Sequence, residues 1–272
     1  NRLGLGGCLA DDMGLGKTIQ VIALFMLLKR ESRKGAPVSL LVVPASLIGN
    51  WKSEIERFAP SLRYKIAHPS ANSAVPWYDV APTADVIAST DVIITTYGYL
   101  GRLPWLTETT WDCIVIDEAQ AIKNYGSRQT RAVKALKGHH RLALTGTPVE
   151  NHLSDLWSLY DFLLPGLLGA GRDFERFVKS AERDESQGRY AALRNLVRPY
   201  LLRRLKTDKR IISDLPDKTE LSAYCALSKT QAALYQQSVE ELAKKIERVD
   251  GIQRRGIVLS YLMRFKQICN HP

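Results

Sequence analysis

Thiols, long apolar stretches and metal-ligand clusters are what this sequence has least of. Its four cysteines, Cys8, Cys113, Cys225 and Cys269, lie far apart and form no C-x-x-C or Cys/His spacing. That excludes a zinc site or a disulfide framework as the organising feature, and the thiols read as buried and reduced in an intracellular protein. His139, His140 and His271 likewise have no partner at metal-binding spacing. The apolar run "IQVIALFMLL" stops at Lys29 and Arg30, short of the length that crosses a membrane. No signal peptide opens the chain, and "NRLGLGGCLA", without an initiator Met, reads as the interior of a larger protein.

What is there suits a folded domain. The 272 residues are 45% hydrophobic and 24% charged, enough to bury a substantial core and unlike a disordered chain. Lys and Arg number 38 against 28 Asp and Glu, a formal charge of +10. Counterion release makes such a chain a candidate partner of nucleic acid; a merely basic soluble protein is the bland alternative.

Short apolar runs alternate with helical patterns, which predicts an α/β fold with a mostly parallel sheet. The strand candidates are "GGCLA", "VSLLVVP", "DVIITT", "DCIVID" and "RLALTG". Helices are expected near Lys17 to Lys34 with Gly35 as a stop, from Ser46 to Phe58, and from Ser127 to Lys137 with Gly138 as a stop. Residues 151–202 pattern as helix with a turn at "PGLLGAG", and a basic run, "RRLKTDKR", follows. "TELSAYCALS" offers one last strand. Ser228 and Gln231 then form a capping box for a long helix that Gly251 should end, and a second helix from about Gln253 to Ile268 should return beside it.

The stretch "DDMGLGKT" ends like a phosphate-binding loop but has Asp11 where the G-x-x-x-x-G-K-[ST] pattern has its first glycine. It follows a strand-like run and opens a helix. The backbone N–H groups of Gly14, Leu15, Gly16, Lys17 and Thr18 therefore converge at a positive helix terminus, where the phosphates of ATP would sit. Lys17 can reach the β- and γ-phosphates and the Thr18 hydroxyl can ligate Mg²⁺. In "DCIVIDEAQ", four apolar residues drive a strand into the core and Asp117 and Glu118 emerge at its carboxyl end, where open α/β sheets bind ligands. Asp117 would hold the hydration shell of the metal, and Glu118 would take a proton from the attacking water. The bland alternatives are a glycine-rich turn and a solvated acidic strand end.

In order, "LADDMGLGKTIQ", "LLVVPASLIGNWKSEIERF", "DVIITTYGYL", "IVIDEAQAIKN" and "RLALTGTPVENHLSDLWSLYDFLLPGLLG" resemble motifs I, Ia, Ib, II and III of the SWI/SNF-type DNA-dependent ATPases of helicase superfamily two. "YLLRRLKTDKRIISDLPDKTE" and "LMRFKQICNHP" are also similar to that family, so the resemblance covers nearly the whole chain. DEAQ at the second acidic motif looks most like its prokaryotic branch. The resemblance implies a RecA-like P-loop lobe, residues 1–226, with a helical protrusion or the start of a linker at 227–272. It also makes Asp11 a family feature that costs no phosphate binding. Asp11 should point away from the phosphates, with Asp11 and Asp12 acting as local backbone caps.

By the same resemblance, Thr145, Gly146 and Thr147 couple the nucleotide to DNA, and Gln120 senses the γ-phosphate; ordinary turn chemistry before Pro148 is the alternative for the threonines. Pro44 and Ser46 open a helix whose free N–H groups suit a backbone phosphate. Thr95, Thr96 and Tyr97 offer further polar groups, and Lys52, Lys123 and the run Arg203, Arg204, Lys206, Lys209 and Arg210 add charge. Trp51 is more often core than a stacking platform, yet it sits in the DNA-facing set. Such groups hold phosphate and sugar without reading bases, which predicts sequence-independent binding of double-stranded DNA.

Family members also carry an upstream glutamine-containing adenine element and a downstream second RecA-like lobe with arginine fingers, and neither pattern occurs in these residues. The expected protein is an ATP-driven DNA translocase that remodels DNA–protein complexes, cytoplasmic and nucleoid-associated in a bacterium or archaeon and nuclear in a eukaryote. This chain would be its first lobe, nearly inactive alone. The alternatives are a strand-separating helicase and a nucleotide- and DNA-binding module without turnover. A P-loop kinase or GTPase has no role for DEAQ followed by LTGTP.

Overall fold

The apolar runs become parallel strands. The computed structural model describes residues 4–31, 38–71, 77–79, 81–147, 153–183, 190–211, 221–247 and 250–270. Gly35, Pro148, the first two residues of "TELSAYCALS" and His271 fall outside them. Seven strands form one sheet: β1 (Gly7–Leu9), β2 (Ser39–Val43), β3 (Tyr64–Ile66), β4 (Val92–Thr96), β5 (Thr110–Ile116), β6 (Lys137–Leu144) and β7 (Leu201–Leu202). Their order is β3-β4-β2-β5-β6-β1-β7, and every pairing among them is parallel.

Both faces are covered, as an all-parallel sheet requires. Leu40, Val42, Ile93, Ile114 and Ile116 point into one apolar layer, and Leu41, Val43, Ile94, Cys113 and Val115 into the other. Helix α1 (Lys17–Glu31) packs Val21, Ile22 and Phe25 on the second face, beside Ile48, Trp51 and Ile55 of α2 (Ile48–Phe58). Burying each of these large side chains favours the fold by about 1.5–3 kcal/mol. Helices Leu153–Leu163, Gly171–Arg183 and Ala191–Val197 follow, with a smaller cluster of Leu156, Tyr160, Phe174, Leu193 and Val197 between them.

Several expectations need correction. Gly138 does not stop a helix: the helix ends at Lys134 and Gly138 lies inside β6, where an added Cβ would come within 2.6 Å of Ile114 Cδ1. No strand forms over 221–228. Cys225 and Cys269 are exposed, whereas Cys8 and Cys113 are buried, and burial pushes both inner thiols up to about 12. Among the described residues no helix is long and apolar enough to cross a membrane.

The chain divides into two compact units, Asn1–Leu215 and Pro216–Pro272. The second is a helical hairpin. Ser228 and Gln231 form the expected capping box of helix Lys229–Ile246, and Gly251, at φ 65°, begins the second helix, Gly251–Asn270, instead of ending the first. The Gln231 side chain donates to Ile268 O at 2.9 Å, and the rings of Tyr235 and Phe265 stack with centroids 4.6 Å apart.

Candidate active site

Parallel register brings the motifs to one edge. Leu9 pairs with Leu144, Ile116 with Ala143, Val42 with Ile116, and Val43 with Thr96. The loops that leave β4, β2, β5, β6 and β1 therefore emerge side by side at the strands' carboxyl ends. The glycine-rich loop, the acidic pair and Thr145–Thr147 are neighbours there.

Between β1 and α1 the chain reverses through Gly14 and Gly16, at φ 83° and 75°, values that a residue with a Cβ adopts only under strain. Lys17 lies back over the loop and donates to Asp11 O at 2.6 Å and Asp12 O at 3.2 Å. Gln20 closes the first turn by donating to Leu15 O and Gly16 O, both at 3.2 Å. The result is a preformed concave backbone with a cation at its centre and α1 behind it, which suits phosphate.

Asp11 is no local cap. Its carboxylate is fully buried, and it accepts from the Arg204 backbone N–H at 2.9 Å, from Arg204 Nε at 3.1 and 3.0 Å, and from the Arg204 Nη2 amino group. Gln20 Nε2 adds a contact at 3.4 Å, and Arg204 Nη2 also donates to Gln20 Oε1 at 2.7 Å. Burial alone would push this carboxyl up; the hydrogen bonds from Arg204 and Gln20 and the guanidinium charge outweigh it and hold the group below its ordinary value. Asp12 Oδ2 accepts from the Lys206 N–H at 3.0 Å.

At the end of β5, Asp117 is nearly buried and already oriented. Trp51 Nε1 donates to its Oδ2 at 2.8 Å, the Glu118 N–H to its Oδ1 at 2.9 Å, and the Tyr97 hydroxyl to its carbonyl at 2.6 Å. Burial raises the Asp117 carboxyl, with the Glu118 charge adding and the Trp51 and Glu118 donors and Lys17 opposing. Burial, then the charges of Asp117 and Glu118, push the Tyr97 hydroxyl far up, so it stays a proton donor. Glu118, at φ 50° and ψ 56°, is the one non-glycine residue with positive φ among the described residues. Such a placement costs about 1–3 kcal/mol and aims the carboxylate out of the strand's line.

From Glu118 a line of hydrogen bonds leads across the edge. Gln120 Nε2 donates to Glu118 Oε2 at 2.6 Å, Thr145 Oγ1 to Gln120 Oε1 at 3.2 Å, and the Thr147 N–H to Thr145 Oγ1 at 3.1 Å. Lys123 borders the same small groove as Gln120, Thr145 and Thr147.

The donor set fits a magnesium nucleotide. A buried carboxylate whose charge is opposed by burial and by its neighbour favours a nearby cation. Among the described residues no group of three His, Cys, Asp or Glu could hold an ion alone. Mg²⁺ commonly leans on one or two protein oxygens, water and substrate phosphate.

The DNA-facing set shrinks. Trp51 has 0% exposure and spends its N–H on Asp117, and Thr95, also at 0%, donates to Ala67 O at 3.0 Å. Thr96 and Tyr97 are buried as well. These side chains cannot meet a DNA backbone; Trp51 and Tyr97 instead orient Asp117. Ser46, Lys52 and Lys123 are exposed and Pro44 half-buried. Sequence reading also missed Arg204 as a partner of the phosphate loop: the basic run was legible, its target was not.

Similarity to known proteins agrees with this geometry. The first lines of resemblance are to a solved Sulfolobus solfataricus SWI2/SNF2 ATPase core in complex with dsDNA, 44% identical, which the chain matches over its full length and over 55% of that structure, with a TM-score of 0.68. The chain is 42% identical, over 99% of its length, to 29% of YwqA from Bacillus subtilis (strain 168), provisionally named an ATP-dependent helicase/translocase. It is 35% identical over its whole length to 16% of the TATA-binding protein-associated factor MOT1 of Saccharomyces cerevisiae. It thus spans less than a third of these curated relatives and about half of the solved core. The SNF2-related domain matches residues 1–272, and with a RecA-like parallel sheet carrying all five motifs in order, the chain belongs to the SNF2-related family.

Proposed function

We propose that this chain is the ATP-binding first lobe of an ATP-driven double-stranded DNA translocase that remodels DNA–protein complexes. The observation that carries the reading is the hydrogen-bonded line Glu118–Gln120–Thr145–Thr147, which joins the acidic pair to the loop after β6. The triphosphate is held by the N–H groups of Gly14 to Thr18, and Lys17 exchanges the carbonyls of Asp11 and Asp12 for phosphate oxygens. Thr18 and Asp117 would hold Mg²⁺, which when bound neutralises charge on the phosphates. Glu118 orients water and accepts its proton, and Gln120, tied to Glu118 and Thr145, transmits its position to the DNA side.

We read residues 1–226 as the lobe and 227–272 as the protrusion or the start of a linker to a second lobe; the two compact units, Asn1–Leu215 and Pro216–Pro272, divide somewhat earlier in the sequence. Pro44, Ser46, Lys52 and Lys123 contact DNA phosphates, in keeping with the +10 charge. A second RecA-like lobe completes the site with an arginine, a contribution of about 10³–10⁵ in rate in P-loop enzymes, so the chain alone turns over slowly. The remodelled target is a DNA-bound protein, and the compartment is that of the DNA.

The test is displacement of a triplex-forming strand from duplex DNA by this lobe joined to its second lobe. ATP-dependent displacement without separation of the duplex strands is expected. Strand separation, or strong DNA-stimulated phosphate release by the chain alone, overturns the reading.

A further inference from the structure

In the basic segment after β7, Arg203, Lys206, Lys209 and Arg210 are exposed but Arg204 is half-buried and turned toward the glycine-rich loop. Beyond the paired residues of β1 and β7, Ala10 N–H donates to Leu202 O at 2.7 Å and Asp12 N–H to Arg204 O at 3.1 Å, so the segment runs alongside the start of the phosphate loop. Arg204 meets Asp11 through its backbone N–H and its guanidinium across 193 positions of sequence. Lys206 follows: its Nζ lies 2.9 Å from where a Cβ on Gly14 would stand. Asp11 O and Asp12 O, the acceptors of Lys17, are thus carried by residues tied to this segment, Asp11 by its side chain and Asp12 by both its main-chain N–H and its carboxylate.

We propose that Arg204 is a positioning residue for the phosphate loop, latching Asp11 so that the loop backbone and Lys17 are preorganised for the nucleotide. Three physical points support it. Asp11 is buried beside the cradle, and unneutralised it would repel the incoming triphosphate. A guanidinium that bonds a carboxylate through two nitrogens fixes direction as well as charge, which an ammonium does not. Gln20, on the first turn of α1, bonds both Asp11 and Arg204, so the latch holds the loop at its beginning and at the helix that follows. The acidic residue in the first glycine position is then one half of an ion pair whose other half comes from the segment leading out of the first unit. That segment's position and nucleotide affinity become linked.

This rests on reading residues 11–18 as the phosphate loop, and the experiment separates the two. Fluorescent ADP binding to the 272-residue chain is measured for the wild type, Lys17→Ala, Arg204→Gln, Arg204→Lys, Asp11→Asn and the Asp11→Asn/Arg204→Gln double variant. Duplex DNA binding is measured across salt concentrations, and amide exchange of residues 14–17 without nucleotide. Loss of a charge-assisted contact of this kind predicts a roughly tenfold weaker Kd for Arg204→Gln, a smaller loss for Arg204→Lys, and a double variant no worse than the poorer single. Amide exchange should quicken in Arg204→Gln and in Asp11→Asn while the salt slope for DNA stays unchanged. Unaltered nucleotide affinity and unaltered exchange in folded Arg204→Gln or Asp11→Asn overturns the latch. So does a salt slope lowered by about one in Arg204→Gln, which would make Arg204 a DNA-phosphate contact. If Lys17→Ala binds as tightly as wild type, the phosphate-loop reading itself fails. If Arg204→Gln does not fold, Arg204→Lys and Asp11→Asn decide on the same readouts.

Discussion

Replacing Trp51 by Phe should damage the fold through the active site. The indole N–H is given to Asp117 Oδ2 at 2.8 Å in a fully buried position. Phenylalanine removes that donor and leaves part of the ring space empty. A hydrogen bond to a charged group contributes about 1.5–3 kcal/mol, and the missing ring atoms add about 1–2 kcal/mol of lost burial, so the first unit should lose roughly 3–5 kcal/mol. All five tryptophans lie within Asn1–Leu215, so urea unfolding followed by the fluorescence of the remaining four reports on that unit. The Asp117→Asn background removes the charge and one of the two acceptor oxygens. Its one neutral oxygen can accept from the indole or from the Glu118 N–H but not from both, so the cost of Trp51→Phe should fall there by about 1–2 kcal/mol. A Trp51→Phe loss under about 1 kcal/mol, or equal losses in both backgrounds, would refute the orienting role of the indole.

Asp91 binds Lys29 at 2.9 Å and Arg63 at 2.6 Å. Burial pushes its carboxyl up, but the hydrogen bonds from Arg63 and Lys29 prevail and hold it below its ordinary value. Its contribution is therefore full above that value and lost as pH falls through the lower folded value, so Asp91→Asn should cost stability at pH about 7 and progressively less in acid; a gap in urea midpoints that does not narrow contradicts the pairing. Thr145→Val breaks the line at Gln120 and leaves its oxygen unpaired. Nucleotide affinity should stay within about threefold of wild type while DNA stimulation of ATP turnover falls, measured in the two-lobed protein; intact stimulation would remove Thr145 from the coupling path.

The legible parts of the fold were those written locally. Short apolar runs announced five strands, and the glycine-rich loop, the acidic pair and the capping box of Ser228 all formed where their residues stand. β3 and β7, of three and two residues, escaped because each exists only through its neighbour on the sheet. Gly138 looks like a helix stop by type, but its place is set by the ladder between β5 and β6. The same limit applies to chemistry. Trp51 reaches Asp117 across 66 positions and Arg204 reaches Asp11 across 193, and no spacing rule signals such pairs. Trp51, placed in the DNA-facing set although more often core by type, and Arg204, one charge of a basic run, therefore give no sign that each bonds a carboxylate beside the glycine-rich loop or the acidic pair.

Calorimetric titration of the chain with Mg²⁺ and a non-hydrolysable ATP analogue, in wild type and Lys17→Ala, tests the phosphate site most directly. Lys17 gives its hydrogen bonds to two loop carbonyls and none to the core, so its removal should leave the unfolding midpoint unchanged. Affinity should drop at least about tenfold, the consequence of losing one charge-assisted phosphate contact. Equal affinity in the two proteins, with both folded, would mean that the nucleotide is not held by the loop between β1 and α1.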